Sequence, residues 1–164
     1  MRVLGLDVGD MRTGVAISDP QGILATPLTV LASRDENALI EEVLTLARQH
    51  KVERVVVGLP RRLSGDLGEQ ANKVTAFADK LSAQAKRSNL DRLDVQLWDE
   101  RLSTKAAERL KTEARGHGGS LRFRGRRGAG NRNLAIKAEV DAIAAAFILQ
   151  GFLDSQHSGN AEES

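Results

Sequence analysis

The stretch VERVVVG, residues 52 to 58, sets three valines in a row, Val55, Val56 and Val57, with no polar residue between them. Side chains along a strand alternate between the two faces of a sheet, so a continuous run of this kind is expected where both faces are covered. A sheet with helices packed on its two sides meets that demand. Gly58-Leu59-Pro60 stops the run.

The rest of the chain supplies suitable partners. RVLGLDV (2 to 8) and TGVAIS (13 to 18) are short apolar segments joined by a turn-like GDMR, which predicts a hairpin. Ile23 to Leu31 forms a third extended stretch after the Asp19-Pro20-Gln21-Gly22 turn, and Pro27 predicts that it lies at an edge or bends. Leu39, Val43, Leu46 and Ala47 then recur at helical spacing over 36 to 49. After the loop-like RRLSGDLGEQ, a second helix runs through Val74, Phe77, Ala78 and Leu81 to about Lys86. LDVQLW (93 to 98) reads as a strand, with Trp98 in the core. Ser103 or Thr104 can cap a helix through Ala106, Ala107 and Leu110, which Gly116, Gly118 and Gly119 end. The last helix is expected over 134 to 153, with Val140, Ile143, Ala144, Phe147, Ile148 and Gly151 on its buried side. The fold class is therefore α/β, a mixed sheet that opens with an antiparallel hairpin and is flanked by helices. The 164 residues suit one domain, here 1 to 154, followed by a polar tail, 155 to 164, expected to be disordered.

Composition excludes several classes of function. With no cysteine there is no disulfide, thiolate chemistry or Cys-ligated zinc. No apolar run approaches a membrane span and the N-terminus has no secretory pattern, so a cytoplasmic, membrane-free protein is expected. The net charge of +2 is unevenly spread. Residues 111 to 137 carry eight basic residues against Glu113 alone, a net +7, which leaves −5 for the remainder. A basic strip on an acidic body points to a polyanionic partner. Within it, the Gly- and Arg-rich segment 113 to 133 reads as a mobile loop, where Arg122, Arg124, Arg126 and Arg127 can hold phosphates while Phe123 stacks on a base. The competing reading is a solvated insertion with no ligand.

Three acids stand where strands end or a helix faces the sheet: Asp7, Glu100 and Asp141. Carboxylates from separate elements that meet at one sheet edge can hold Mg²⁺ or Mn²⁺, hard cations that prefer oxygen. Two such ions activate water and stabilise the leaving oxygen in phosphodiester hydrolysis. Each acid also has a structural reading. Asp7 can organise the Gly9 turn, Glu100 can pair with Arg101, and Asp141 can pair with Lys137 one helical turn earlier. Asp99 is the first substitute for Glu100 should that residue not serve. His50, His117 and His157 show no ligand spacing, and Gly58-Leu59-Pro60 lacks the lysine and glycine spacing of a phosphate loop.

Four segments in order, GLDVGDMRTGVAISD (5 to 19), VVVGLP (55 to 60), DERLST (99 to 104) and KAEVDAIAAAFILQGFLD (137 to 154), resemble the signature blocks of the YqgF (RuvX) family. The resemblance covers roughly 1 to 154, and DERLST with the downstream Lys-x-x-x-Asp-x-x-Ala-Ala is its most specific part. It implies an RNase H-like fold and a metal-binding triad of Asp7, Glu100 and Asp141. Arg12 and Asp19 match the first block, Asp99 and Arg101 flank the triad member in the third, and Lys137 matches the basic position of the fourth. Arg12, Arg101 and Lys137 thereby join the loop arginines as expected nucleic-acid contacts. The implied role is trimming the 5′ end of the 16S rRNA precursor, with resolution of branched DNA junctions as the alternative. The segment 113 to 133 departs from the family pattern in length and glycine content, as does the tail. Two rivals remain. Actin-like ATPases and sugar kinases share the opening Asp-x-Gly hairpin but need two such domains, and a non-catalytic RNA-binding module would keep the fold and the basic loop.

Overall fold

A computed structural model of the chain describes residues 1–32, 35–60, 68–99 and 129–162, with side chains over 139–157 in the last stretch. Its elements are β1 (Val3–Val8), β2 (Thr13–Ser18), β3 (Ala25–Leu31), α1 (Glu36–Gln49), β4 (Arg54–Leu59), α2 (Glu69–Arg87), β5 (Asp94–Asp99) and α3 (Ala129–Glu162). The strands form one sheet in the order β3-β2-β1-β4-β5. β1, β2 and β3 pair antiparallel, whereas β4 pairs parallel with both β1 and β5. The expected mixed sheet with its opening hairpin is present.

The valine run behaves as its sequence requires, because Val55, Val56 and Val57 of β4 are all fully buried. Val55 and Val57 join Leu4, Leu6 and Val15 in a core shared with α1 and α2. Val56 points the other way, into a second core with Val3, Ala16 and the α3 residues Ala145, Leu149 and Phe152. Trp98 of β5 packs edge-on against Phe152 at the margin of this second core, with ring centroids 5.7 Å apart. α1 is capped by Asp35, whose side chain accepts from the Asn37 amide and so satisfies one donor of the first turn.

Pro27 explains the placement of β3. Proline cannot donate to a ladder, and β3 is an edge strand. Pro27 stands opposite Ala16, where the register shifts between Val15 and Ala16. The strand starts at Ala25, two residues later than expected, and Ile23 and Leu24 before it are exposed.

The last helix differs from its sequence reading in extent and in face. α3 spans Ala129–Glu162 rather than 134 to 153, so it takes in the end of the segment read as a loop and most of the tail read as disordered. Its buried residues are Ala142, Ala145, Ile148, Leu149, Phe152 and Leu153. Of the residues expected there, Ile148 is buried, whereas Val140 and Ile143 are 44% and 43% exposed. Ile143 instead lines an open groove of about 560 Å³ between α3 and β3. The helix expected after Ser103 or Thr104, and the loop up to residue 128, lie outside the described residues.

Distance accounts for the choice of face. A Cβ added at Gly5 would stand 2.7 Å from Leu149 Cβ, and one added at Gly14 would collide with the Asp141 carbonyl oxygen. α3 therefore lies directly on the backbones of β1 and β2, with Ala142 and Ala145 buried along that contact and Leu149 seated over Gly5. Val140 and Ile143 are too bulky to take the place of the two alanines. A Gly14→Ala substitution is expected to force the helix off the hairpin and lower stability by about 1–3 kcal/mol or more. Urea unfolding of the variant measures this, and an unchanged midpoint would contradict the close approach.

Candidate active site at the end of strand β1

Alternation along β1 decides where its acid lies. Leu4 and Leu6 belong to the α1/α2 core and Val3 to the α3 core, so Gly5 and Asp7 stand on the α3 face. Asp7 is half-buried and pairs in register with Gly14 of β2. Gly14 is also the residue on which the Asp141 backbone rests. Two acids far apart in the chain are thus brought to one glycine, and the absent side chain of that glycine is what lets them approach.

A cation completes the cluster. The hairpin turn closes through a hydrogen bond from the Gly9 amide to the Arg12 carbonyl at 2.9 Å, with the Gly9 Cα packed so closely that an added Cβ would lie 2.7 Å from the same oxygen. The turn fixes Arg12 beside α3, where its Nε stands 3.4 Å from Asp141 Oδ2. Both side chains are about 30% exposed, at 29% and 30%. Asp141 therefore pairs with Arg12, a partner that helical spacing could not reveal.

β1, β4 and β5 run parallel, so their C-terminal ends share one edge of the sheet. Asp99 is the last residue of β5 and pairs with Leu59, placing it at that edge. The N-terminus of α2 arrives there too: Gln70 Nε2 donates to the Val8 carbonyl at 3.2 Å, and Lys73 faces Asp10 at 3.9 Å. A cleft of about 380 Å³ lies between these elements, lined by Asp10, Pro60, Gln70 and Lys73 among others. Glu100, Arg101, Arg122, Arg124, Arg126 and Arg127 fall outside the described residues, as does the side chain of Lys137. Of the expected triad, the structure places Asp7 and Asp141. Among the described residues no three acidic or histidine side chains form a metal cluster. The two placed carboxylates are oxygen donors of the type a hard divalent cation takes.

Residues 1–155 match the family described as RuvX, Holliday junction resolvase. The chain belongs to the RuvX family. A relative from Clostridium novyi (strain NT), named "Putative pre-16S rRNA nuclease", is 39% identical over 156 residues, covering 94% of this chain and 99% of its own. Another of the same name from Pelotomaculum thermopropionicum is 41% identical over 157 residues, covering 95% and 88%. Among solved structures, T. thermophilus RuvC in complex with Holliday junction substrate aligns with a TM-score of 0.54 over 96% of both chains at 16% identity. The yeast mitochondrial Holliday junction resolvase Ydc2 aligns at 0.52 over 92% of this chain and 77% of its own, at 12% identity. The fold of this RuvX chain is therefore the RNase H-like fold of those resolvases.

The first RuvX block divides between two ends of the sheet. Asp7 and Arg12 lie at the hairpin turn, but Asp19 stands at the other end of β2. Its Oδ1 accepts from the amides of Ile23 at 2.7 Å and Leu24 at 3.0 Å, closing the β2–β3 connection. The bonds from Leu24 and Ile23, in that order, hold its carboxyl below the usual carboxylate range. A depressed acid stabilises the fold fully above its unfolded pKa, about 3.9, and loses that contribution as pH falls through the folded value. Asp19→Ala is thus expected to be less stable than the parent at neutral pH, with the gap closing as pH falls below about 4. Thermal unfolding from pH 7 to pH 3 measures it, and a gap that stays constant would contradict the role.

Proposed function

We propose that this chain is a metal-dependent nuclease that hydrolyses phosphodiester bonds and trims the 5′ end of the 16S rRNA precursor during ribosome biogenesis in the cytoplasm. The observation that carries the reading is that Asp7 and the Asp141 backbone both lie against Gly14, at the sheet edge where β5 ends in Asp99. Asp7, Glu100 and Asp141 would hold Mg²⁺ or Mn²⁺, which supplies an activated water and neutralises charge on the phosphate. The cation leaves the protein to orient the nucleic acid. Arg12, Arg101, Arg122, Arg124, Arg126, Arg127 and Lys137 are assigned to the phosphate backbone, where guanidinium forks suit phosphate oxygens. The pre-16S rRNA nuclease name of relatives at 39% to 41% identity supports an RNA substrate. The family's description as a Holliday junction resolvase supports a second reading, cleavage of branched DNA. No helix among the described residues is long and apolar enough to cross a membrane.

Incubating the purified protein with a 16S rRNA precursor or a four-way DNA junction, in Mg²⁺ or Mn²⁺, separates these readings. Cleavage of the precursor near its mature 5′ end is expected, with the junction cut more slowly. Asp7→Asn, Glu100→Gln and Asp141→Asn should each reduce the rate at least about 100-fold, since each removes charge from the site while keeping side-chain shape. Preferred cutting of the junction would move the assignment to DNA. Full activity in any one variant would remove that residue from the site, and binding of RNA without cleavage of either substrate would leave a non-catalytic module.

A further inference from the structure

Arg12, an expected nucleic-acid contact, turns its partly exposed side chain toward an acid. The turn holds its backbone, and its guanidinium reaches across to α3 to stand 3.4 Å from Asp141 Oδ2. A divalent cation on Asp141 needs the lone pairs of that carboxylate and the space beside it, and it repels a guanidinium already there. We propose that Arg12 and the divalent cation are alternative partners of the Asp141 carboxylate. Arg12 neutralises the acid until a cation loads, and loading frees the guanidinium to take a phosphate of the substrate. The proposal rests on the reading of Asp141 as a metal ligand. Two features favour exchange over a fixed brace. The Nε–Oδ2 separation of 3.4 Å is longer than a strong charge-assisted bond, and both side chains are nearly a third exposed, so the pair is held weakly.

Competition has a direct signature in metal affinity that a bracing role lacks. Mn²⁺ binding to the full chain, stripped of metal and free of nucleic acid, is read from the electron paramagnetic resonance signal of free Mn²⁺. Arg12→Gln is expected to bind Mn²⁺ about two- to fivefold more tightly than the parent, the gain set by loss of a partly exposed ion pair. Lys73→Gln removes one positive charge from the same end of the sheet, where Lys73 faces Asp10 and not Asp141, and is expected to leave the affinity unchanged. Equal or weaker binding in Arg12→Gln would show that Arg12 braces the acid and overturn the proposal. An equal gain in Lys73→Gln would reduce the effect to bulk charge and overturn it as well. Asp141→Asn distinguishes this failure from that of the underlying reading. If Asp141→Asn weakens Mn²⁺ binding while Arg12→Gln brings no gain, only the exchange is wrong. If Asp141→Asn binds Mn²⁺ as the parent does, Asp141 is no ligand and both fall.

Discussion

The structure depends on how closely α3 lies against the β1–β2 hairpin. Helices usually pack on a sheet through a layer of side chains, but here Gly5 and Gly14 remove that layer and the helix backbone rests on the strands. Two consequences follow from one contact. The second core sets the small residues Ala16 and Ala145 where helix and strands come closest, and so has little tolerance for added volume there. The register of β1 with β2 is also tied to the axial position of α3, because Gly14 pairs with Asp7 on one side and receives Asp141 on the other.

That coupling is how the fold brings acids from distant segments to one glycine. A carboxylate on a strand facing a helix would be costly if it were left alone in an apolar layer. At the end of β1 the apolar layer gives out: the hairpin turns back, Arg12 enters, and Asp7 and Asp141 are partly exposed. The opposite face packs Leu4, Leu6 and Val15 against α1 and α2 over its centre.

What the sequence disclosed follows the range of the interaction involved. Local signals were sufficient for β2, where the apolar run from Thr13 to Ser18 is bounded by turn residues, and for α1, where Leu39, Val43 and Ala47 repeat with the helical period. Pro27 marked an edge because its missing amide is a property of a single residue. The face of α3 was misread for a different reason. Between Val140 and Leu153 the helix is apolar on most sides, so periodicity could not choose among faces, and the choice was made by two strand glycines more than a hundred residues away. In the candidate site, Asp7 and Asp141 stood out singly from their apolar surroundings. Their juxtaposition and the pairing of Arg12 with Asp141 require both strand register and helix approach, which no single segment encodes.

The central claim is that Asp7 and Asp141 form one divalent-cation site. Anomalous diffraction from crystals of the protein soaked in Mn²⁺ tests it directly, since the ion is located without reference to activity. The account predicts an anomalous peak in contact with carboxylate oxygens of both Asp7 and Asp141, on the α3 face of the sheet beside Gly14. A peak on one of the two acids alone, or Mn²⁺ bound only elsewhere, would contradict it.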